Sequence, residues 1–334
     1  MFQYLISLPC GKTYECDSGV SLVDAALSAG ITLPHSCKTG RCSTCKTKVL
    51  SGETLALQSE TGLTETQKAE GWVLSCVRAA CSDLALEVED LGDVVLPVSK
   101  TWPCRISQID RWAPDVVRVI LRLPPSADFA FLAGQYIDVI GPNGVRRSYS
   151  IANASAAGKT LELHIRAVAN GAMSDYWFSQ AQVNDLLRLH GPLGTFFLRP
   201  LAYMDLVFLA TGTGIAPVKA MLESLEGMPF EQRPRSVTVF WGGRSVQDLY
   251  WDVQSMAAGQ RYVPVLSRPQ PSWTGAVGYV QDVFLAQTPD LSNTVVYACG
   301  SNAMIQSAQG LLAQAGLPPS RFFSDAFVCS AQQA

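Results

Sequence analysis

The chain has 334 residues, of which 48% are hydrophobic and 16% are charged, and its formal net charge is −3 at pH 7. This length suits two or three domains, and the apolar residues are sufficient for their cores. The small net charge gives no indication of binding to nucleic acid or to an anionic membrane surface. No long apolar run predicts a membrane-spanning helix, and the first residues alternate like a strand rather than forming a signal peptide. We therefore expect a cytoplasmic protein with reduced cysteines.

Residues 1–92 have the pattern of a small α+β domain. Four short segments have the composition of strands, and the first two suit a hairpin: Tyr4–Leu8, Thr13–Cys16, Lys46–Leu50 and Leu84–Val88. Between the hairpin and the third strand we expect a short helix. It should begin at Ser21, a favoured N-cap residue, and stop at Gly30.

Four cysteines of this domain have the C-x4-C-x2-C…C spacing of a plant-type [2Fe–2S] cluster: Cys37, Cys42, Cys45 and Cys76. Three thiolates from one loop can converge on two adjacent irons, and Gly40 lets the loop backbone fold tightly. The fourth thiolate would arrive from a separate strand. Structural zinc also takes four cysteines, but usually as two C-x2–4-C pairs, and Cys76 has no such neighbour. The spacing favours the iron–sulfur cluster.

The order of hairpin, helix and cysteine loop resembles the β-grasp fold of plant-type ferredoxins. Those proteins usually carry glycine at the position of Ser43, so we expect a sterically tighter loop here with all four ligands retained. Four basic residues crowd the same loop: Lys38, Arg41, Lys46 and Lys48. This basic rim either meets an acidic patch on an electron acceptor or is an ordinary solvated loop.

Residues 93–100 lack a strong period and are expected to form a linker to a strand-rich domain at residues 101–201. Glycine and proline punctuate five strand-like runs in that domain: Cys104–Asp110, Val116–Leu123, Tyr136–Ile140, Arg147–Ile151 and Leu161–Val168. Short punctuated strands of this kind favour an antiparallel β-barrel.

Strands and helices alternate in residues 202–334. The predicted strands are apolar: Leu206–Ala210, Val237–Trp241, Tyr262–Val265 and Val295–Ala298. Helices such as Pro217–Leu225 and Asn302–Ala315 separate them. Apolar strands joined by helices predict an α/β domain with a parallel sheet.

An Arg-x-Tyr-Ser motif, formed by Arg147, Tyr149 and Ser150, ends a predicted barrel strand. An arginine fork can hold a diphosphate and a tyrosine can present its face to a ring, although such residues in a strand are unremarkable alone. With Gly134-Gln135-Tyr136 ahead of it, the motif resembles the flavin motif of the ferredoxin–NADP reductase superfamily. The resemblance implies that Arg147 binds FAD phosphate, Tyr149 packs on the isoalloxazine and Ser150 lies near flavin N5.

The last barrel strand alternates, with one face apolar and the other formed by Glu162, His164 and Arg166. After it, Ser174 is expected to cap a helix that begins at Asp175, and a helix N-terminus suits a phosphate. The superfamily uses a Gly-x-x-Ser segment there for the FAD diphosphate. The resemblance implies FAD contacts from five residues of this region: His164, Arg166, Gly171, Met173 and Ser174. For His164, a surface or packing role is the alternative.

The segment Gly212-Thr213-Gly214, followed by Pro217, comes directly after an apolar strand. Two glycines let a dinucleotide pyrophosphate approach the backbone, and proline suits the first turn of a helix. The last glycine of a full G-x-G-x-x-G motif is missing. The strand, loop and helix nevertheless resemble the nicotinamide-binding loop of the same superfamily.

Two further groups of residues follow predicted strands, where ligands bind in open α/β sheets: Trp241 and Gly242, then Cys299, Gly300 and Met304. Alone, Cys299 would be expected to be a small buried hydrophobe. The superfamily places a Cys-Gly pair beside the nicotinamide ring, which implies a catalytic role for Cys299 in addition to that of Ser150 near flavin N5. Phe327, in an Asp-Ala-Phe segment, is implied to lie near the flavin.

The implied cofactors are a [2Fe–2S] cluster, FAD and NADH. Ser267-Arg268 resembles the phosphate-binding pair of NADP-dependent plant reductases. However, Pro269 follows directly and the rest of that site has no clear match. NADH is therefore favoured over NADPH.

The domain order resembles single-chain reductases of ring-hydroxylating oxygenases and multicomponent monooxygenases. Within that family the motifs are most similar to the CDP-6-deoxy-Δ3,4-glucoseen reductases, and the resemblance spans almost the whole chain. It implies that electrons pass from NADH through FAD and the cluster to a partner enzyme. That partner would be a deoxysugar dehydrase, or an oxygenase reached directly or through a ferredoxin. The alternative of another class, a ferredoxin-type carrier with a non-catalytic reductase tail, is disfavoured by the intact motifs.

Overall fold

The computed structural model describes residues 2–92, 94–155, 158–252 and 259–327. The chain divides into two compact units, Met1–Leu96 and Pro97–Ala334. Residue 93 of the predicted linker and residues 253–258 and 328–334 of the predicted third domain lie outside the described residues. The nine cysteines within the described ranges form no disulfide.

The first unit contains seven strands and two helices in its described residues. These are β1 (Gln3–Ser7), β2 (Thr13–Asp17), α1 (Leu22–Ser28), β3 (Lys46–Ser51), β4 (Thr54–Ala56), α2 (Glu65–Ala69), β5 (Trp72–Leu74), β6 (Arg78–Ala80) and β7 (Leu84–Glu87). Five strands form a mixed sheet in the order β2-β1-β7-β3-β5, with β1 and β7 parallel. Helix α1 contributes Leu22, Ala25 and Ala26 to the core under this sheet. The predicted β-grasp fold is confirmed.

Local chemistry explains where α1 starts and stops. The Ser21 hydroxyl accepts a hydrogen bond from the Asp24 amide at 3.1 Å, as an N-cap does. Gly30, just beyond the helix, has φ of 74°, a left-handed conformation that glycine adopts without strain. Both predicted helix signals are therefore confirmed.

The second unit begins with a six-stranded antiparallel sheet in the order β11-β10-β13-β8-β9-β12. Its strands are β8 (Lys100–Ala113), β9 (Val116–Arg122), β10 (Tyr136–Ile140), β11 (Arg146–Ser150), β12 (Thr160–Arg166) and β13 (Leu186–Leu193). A bridge between Ile151, directly after β11, and Leu163 of β12 closes the sheet into the predicted barrel. Lys100 already belongs to β8, so the predicted linker extends one residue too far. Strand β13 was missing from the sequence prediction.

The rest of the second unit is a six-stranded sheet, parallel throughout, in the order β17-β16-β15-β14-β18-β19. Its elements are β14 (Asp205–Thr211), α4 (Ile215–Glu226), β15 (Ser236–Gly243), β16 (Gln260–Leu266), β17 (Ala276–Val277), α5 (Val280–Leu285), β18 (Thr294–Ser301), α6 (Asn302–Gln314) and β19 (Phe322–Phe327); helix α3 (Ala172–Asp175) precedes them in the barrel. The strand order reverses between β14 and β18. Ligands bind at the carboxyl ends of strands at such a point, so the fold directs attention to Gly212 and Cys299.

None of the helices in the described ranges combines the length and the apolar character needed to cross a membrane.

Candidate functional site

The four predicted cluster cysteines lie together as two close pairs. Cys45 Sγ lies 3.1 Å from Cys76 Sγ, and the Cys37 amide donates a hydrogen bond to Cys42 Sγ at 3.4 Å. Cys37 is partly exposed, whereas Cys42, Cys45 and Cys76 are buried. Cys37 and Cys42 come from one loop, whereas the Cys45–Cys76 pair joins that loop to the short 3-10 turn Ser75–Val77 after β5.

This pairing fits a binuclear cluster better than a single zinc ion. A zinc site gathers four ligands around one metal. Each iron of a two-iron cluster needs only two of the four cysteines, which is the arrangement that the two pairs supply.

Backbone amides of the cysteine loop point at the sulfurs. The Thr39 amide donates to Cys37 Sγ at 3.4 Å. Hydrogen bonding from Cys42, together with the amides of Thr39 and Arg41, holds the pKa of the Cys37 thiol below its ordinary value. Hydrogen bonding from Cys45 and the Gly40 amide does the same for the pKa of Cys76. One member of each pair is thus prepared to be a thiolate, the form that binds metal.

The segment after β4 contacts this loop through its backbone and through the hydroxyl of Ser43. Gly40 has φ of 73°, and a Cβ there would overlap the Ser59 carbonyl oxygen. The Gly62 amide donates to the Gly40 carbonyl at 2.9 Å. Ser43 takes the left-handed φ of 62° that suits the glycine of plant-type ferredoxins, and its hydroxyl donates to the Gly62 carbonyl at 2.5 Å. That hydrogen bond offsets the strain expected at Ser43.

Glu60, which the sequence did not single out, joins this segment to the strand that delivers Cys76. Its carboxylate is buried, accepts from the Leu74 amide at 2.7 Å and accepts from Arg78 Nε at 3.0 Å. Leu74 and Arg78 flank Cys76 on both sides. No spacing motif marks Glu60, because its partners are 14 and 18 positions away.

The predicted flavin residues lie on β11. Arg147 and Tyr149 are partly exposed and two positions apart, so they share one face of the strand. Trp177 Nε1 donates to the Tyr149 hydroxyl at 3.0 Å, and burial raises the pKa of Tyr149 to about 12. The Arg147 guanidinium donates to the Arg146 carbonyl and has no carboxylate partner among the described residues. A phosphate group fits that unneutralised charge. Ser150, which directly follows Tyr149, is buried.

The helix prediction after β12 is wrong in its start. Helix α3 begins at Ala172 with Gly171 at the N-cap position, so Ser174 lies inside the helix. The Ser174 hydroxyl accepts from the Val168 amide at 2.8 Å and fixes the preceding turn. Met173, predicted to touch a cofactor, is buried in the barrel core against Gly141, because the early helix start turns it inward.

The two predicted nicotinamide loops cross each other at the strand-order reversal. Gly212–Gly214 form a 3-10 turn between β14 and α4, and Pro217 lies in the first turn of α4. A Cβ on Gly214 would overlap the Cys299 carbonyl oxygen, and one on Gly300 would overlap the Thr211 hydroxyl. Both glycines are therefore required by the close approach of the two loops.

Several predicted residues of this region lie beneath the loops. Cys299 and Trp241 are completely buried, and burial raises the pKa of the Cys299 thiol. Trp241 Nε1 donates to the Gly212 carbonyl at 2.9 Å, so in this structure Trp241 supports the loop and presents no surface to a cofactor. Met304 and Gly242 are also buried. Phe327 ends β19 beside Ser301 and remains partly exposed.

Arg166 connects the barrel to the nicotinamide loop. Its guanidinium lies against Gly212, and its Nη1 donates to Asp248 Oδ1 at 2.9 Å. Its Nε and Nη2 atoms are buried without a hydrogen-bond acceptor among the described residues. Buried donors normally have an acceptor, so an anionic group beside Gly212 fits this edge of the guanidinium.

His164 lies in a different environment from the one predicted. Both ring nitrogens have protein partners: Nε2 lies 2.8 Å from Glu162 Oε1, and Nδ1 lies 3.1 Å from the Tyr250 hydroxyl. The ring is buried between the barrel and the parallel-sheet domain. The packing alternative for His164 is the one that this geometry supports.

Comparison with known proteins identifies all three domains. Family models match for a 2Fe-2S iron-sulfur cluster binding domain at residues 7–81, an oxidoreductase FAD-binding domain at 103–198 and an oxidoreductase NAD-binding domain at 208–310. A CDP-6-deoxy-L-threo-D-glycero-4-hexulose-3-dehydrase reductase of Yersinia pestis is 42% identical over 326 residues, covering 96% of this chain and 97% of its own. This chain belongs to the single-chain [2Fe–2S]/FAD/NAD(P)H reductases of the ferredoxin–NADP reductase superfamily.

Two further similarities agree with this membership. Reductase component 1 of terephthalate 1,2-dioxygenase from Comamonas sp is 31% identical, with 95% of each chain covered. The crystal structure of a cytochrome P450 reductase from Amycolatopsis is 30% identical with a TM-score of 0.73, covering 98% of this chain and 100% of that one. The reductase is thus an NAD(P)H-dependent iron–sulfur flavoprotein that transfers electrons.

Proposed function

We propose that this reductase passes electrons from NADH, through FAD and the [2Fe–2S] cluster, to a CDP-deoxysugar dehydrase in the cytoplasm. The observation that supports this acceptor is the 42% identity to a reductase of that name over 96% of the chain. When bound, NAD(P)H supplies a hydride, FAD converts it to single electrons, and the cluster carries one electron at a time.

We assign the cluster to the pairs Cys37–Cys42 and Cys45–Cys76, each pair binding one iron. The protein places the cysteine sulfurs at two adjacent iron positions, and its backbone amides donate hydrogen bonds to these sulfurs. Amide hydrogen bonds to sulfur stabilise negative charge and tune the reduction potential.

We assign the FAD phosphates to Arg147 and the turn at Gly171, and the ring system to the face of Tyr149, with Ser150 adjacent. The Trp177 hydrogen bond holds Tyr149 in one orientation before any ligand arrives. Such pre-organisation lowers the entropy that binding would otherwise lose.

We assign the nicotinamide dinucleotide to Gly212, Thr213 and Gly214, with Arg166 meeting its pyrophosphate. Cys299 and Gly300 lie under this loop, and Phe327 stands at its edge. Hydride transfer requires that the donor carbon of the nicotinamide be aligned with flavin N5, and it needs no acid or base. The close crossing of the two loops fixes the backbone against which the nicotinamide would lie.

NADPH is the second candidate for the electron source, and two exposed arginines favour it. Arg244 and Arg268 follow β15 and β16, and the Arg268 amide donates to the Arg244 carbonyl at 3.0 Å. Two guanidinium groups at neighbouring strand ends can hold an additional phosphate. Comparing kcat/KM for NADH and NADPH decides between the two nucleotides.

The second candidate acceptor is an oxygenase, favoured by the 31% identity to a dioxygenase reductase component. The deciding experiment is NADH-dependent turnover with a CDP-deoxysugar dehydrase in one arm and an aromatic-ring oxygenase in the other. Turnover only with the oxygenase would reject the dehydrase. Visible bands that failed to bleach with NADH or NADPH would reject electron transfer from nicotinamide altogether.

Two residues of the basic rim interact with other side chains of this protein. Lys38 Nζ lies 2.7 Å from Asp24 Oδ1, and Lys46 Nζ lies 4.9 Å from the centre of the Trp72 ring. We keep an acidic acceptor patch as the proposal. Charge reversal at Lys46 and Lys48 should lower acceptor turnover and its salt dependence, and unchanged values would favour the solvated loop.

A further inference from the structure

We propose that the polar face of β12, formed by Glu162, His164 and Arg166, is a positioning element that fixes the nicotinamide loop relative to the flavin strand. This inference rests on the proposed function, because its consequence is the rate of hydride transfer. It replaces the predicted role of His164 as an FAD contact.

The face has a simple structural origin. Alternate residues of β12 point to opposite sides, and Leu161, Leu163 and Ile165 fill the barrel core. Glu162, His164 and Arg166 therefore point outward, yet Glu162 and His164 are buried and Arg166 is only partly exposed. The parallel-sheet domain covers them, and each of the three contacts a different part of it.

The first contact is a directed hydrogen bond. The Glu162 carboxylate can only accept, so His164 Nε2 donates to it and the neutral ring leaves Nδ1 as an acceptor. The Tyr250 hydroxyl, 3.1 Å away, then donates to Nδ1. Burial lowers the pKa of His164 more than Glu162 raises it, which keeps the ring neutral as this chain of bonds requires.

The second contact reaches α4, the helix that follows the nicotinamide loop. Lys219 Nζ lies 3.4 Å from Glu162 Oε1 and donates to the Ala152 carbonyl at 3.1 Å. Ala152 comes two residues after Ser150 of the flavin motif. Burial alone would raise the pKa of Glu162, but His164, Arg118 and Lys219 outweigh it and lower the value to about 2. The carboxylate is therefore charged under all ordinary conditions.

The third contact is the ion pair between Arg166 and Asp248, in the turn after β15. Asp248 Oδ2 also accepts from the Arg244 amide at 2.9 Å and so holds that turn. The three contacts place the β12 face against α4, Tyr250 and the β15 turn. These parts surround the loop Gly212–Gly214.

The polar face of β12 reaches the nicotinamide loop through aromatic packing. Tyr250 meets Trp241 edge-on at 5.2 Å, and Trp241 Nε1 donates to the Gly212 carbonyl. His164 thus holds Tyr250, Tyr250 packs against Trp241, and Trp241 holds the Gly212 carbonyl. A small displacement of a reacting group can cost up to about a hundredfold in rate, so loosening this chain should slow hydride transfer specifically.

The test is stopped-flow reduction of the flavin in the complete holoenzyme over a range of NADH concentrations. Tyr250→Phe removes only the hydroxyl that meets His164 and should lower the limiting rate roughly tenfold, with FAD content unchanged. Lys219→Met, which removes the second contact, should lower it similarly. Tyr176→Phe is the matched control, because it deletes a hydroxyl that donates at 2.8 Å to Asp185, another residue of the barrel domain. Its limiting rate should stay within twofold of wild type.

A second measurement separates positioning from general damage. The enzyme is reduced with dithionite, and the rate of its reoxidation by cytochrome c is measured. This rate reports how electrons leave the enzyme, and loss of the β12 contacts should not change it. A limiting rate for Tyr250→Phe within twofold of wild type would overturn the proposal, as would equal losses in both half-reactions. Failure of the wild-type flavin to accept electrons from NADH or NADPH would instead reject the proposed function.

Discussion

Cys45 Sγ and Cys76 Sγ lie 3.1 Å apart although 31 positions separate them in the sequence. The Ser75 hydroxyl donates to the Cys45 carbonyl at 2.9 Å, and the Ser75 amide donates to the same oxygen at 3.1 Å. The fourth cysteine is therefore held in place by its neighbour before it binds iron. This juxtaposition supports the proposed assignment of Cys76 as a cluster ligand, in addition to the cysteine spacing.

Replacing Cys76 by serine should reduce cluster content severely, because one iron would lose one of its two protein ligands. Iron and sulfide per chain, with the visible spectrum, measure the loss. FAD content should remain, since it belongs to the other unit. Cys81→Ser is the control, because Cys81 is exposed and outside both pairs. Full cluster content in Cys76→Ser would contradict the assignment.

Glu60→Ala should destabilise the ferredoxin unit by about 3 kcal/mol, because it leaves the mostly buried Arg78 without its partner. The expected signs are a lower denaturation midpoint and faster bleaching of the cluster. Lys68→Ala, which breaks the exposed pair with Glu65, should cost under about 0.5 kcal/mol. Equal behaviour of the two variants would show that Glu60 does not hold the cysteine loop.

Gly214→Ala should disturb the crossing of the nicotinamide loops, because the added methyl overlaps the Cys299 carbonyl. Overpacking of this kind costs about 1–3 kcal/mol. We expect flavin reduction by NADH to slow at least tenfold while the flavin spectrum is unchanged. Gly227→Ala, where a Cβ meets open space at the end of α4, is the control. A wild-type rate in Gly214→Ala would refute the required close approach.

Arg244→Ala and Arg268→Ala should each lower kcat/KM for NADPH roughly tenfold. This factor corresponds to the loss of one charged contact of about 1.4 kcal/mol. The values for NADH should stay within twofold, since NADH lacks the additional phosphate. Steady-state assays with both nucleotides measure this. Parallel losses for both nucleotides would place the arginines elsewhere than at that phosphate.

His164 predicts a particular pH dependence of stability. Burial lowers its pKa in the folded protein, so below the ordinary value of about 6.5 the unfolded chain binds a proton that the folded protein does not. As the pH is lowered below 6.5, the free energy of unfolding of the wild type should therefore decrease, by up to about 1.4 kcal/mol per pH unit. In His164→Gln this component is absent, so the stability difference from wild type should narrow from pH 7.5 to 5.5.

Thermal unfolding followed by near-ultraviolet circular dichroism measures that difference. His190→Gln is the control, because its ring is only partly buried and bonds to Thr101 at the barrel surface. A difference between wild type and His164→Gln that stayed constant over this range would contradict a neutral, buried His164.

The features that could be predicted from the sequence are mostly local ones. The Ser21 cap, the alternation within the predicted strands and the glycine-rich turn after β14 depend on residues a few positions apart, and the structure confirms them. Strand β13 and the start of α3 are the local features that the prediction missed. The alternation in β12 is of the same kind, since it correctly divided Leu163 from His164 before any fold was known.

The residues that pack against these strand faces could not be predicted, because they come from distant parts of the chain. The outward face of β12 is covered by Tyr250, Lys219 and Asp248. Tyr250 is 86 positions from His164, and Asp248 is 82 positions from Arg166. Glu60 reaches Cys76 in the same way, through partners that no local pattern marks. A hydrogen bond or a buried contact depends on distance in space, and chain folding sets that distance for residues far apart in sequence.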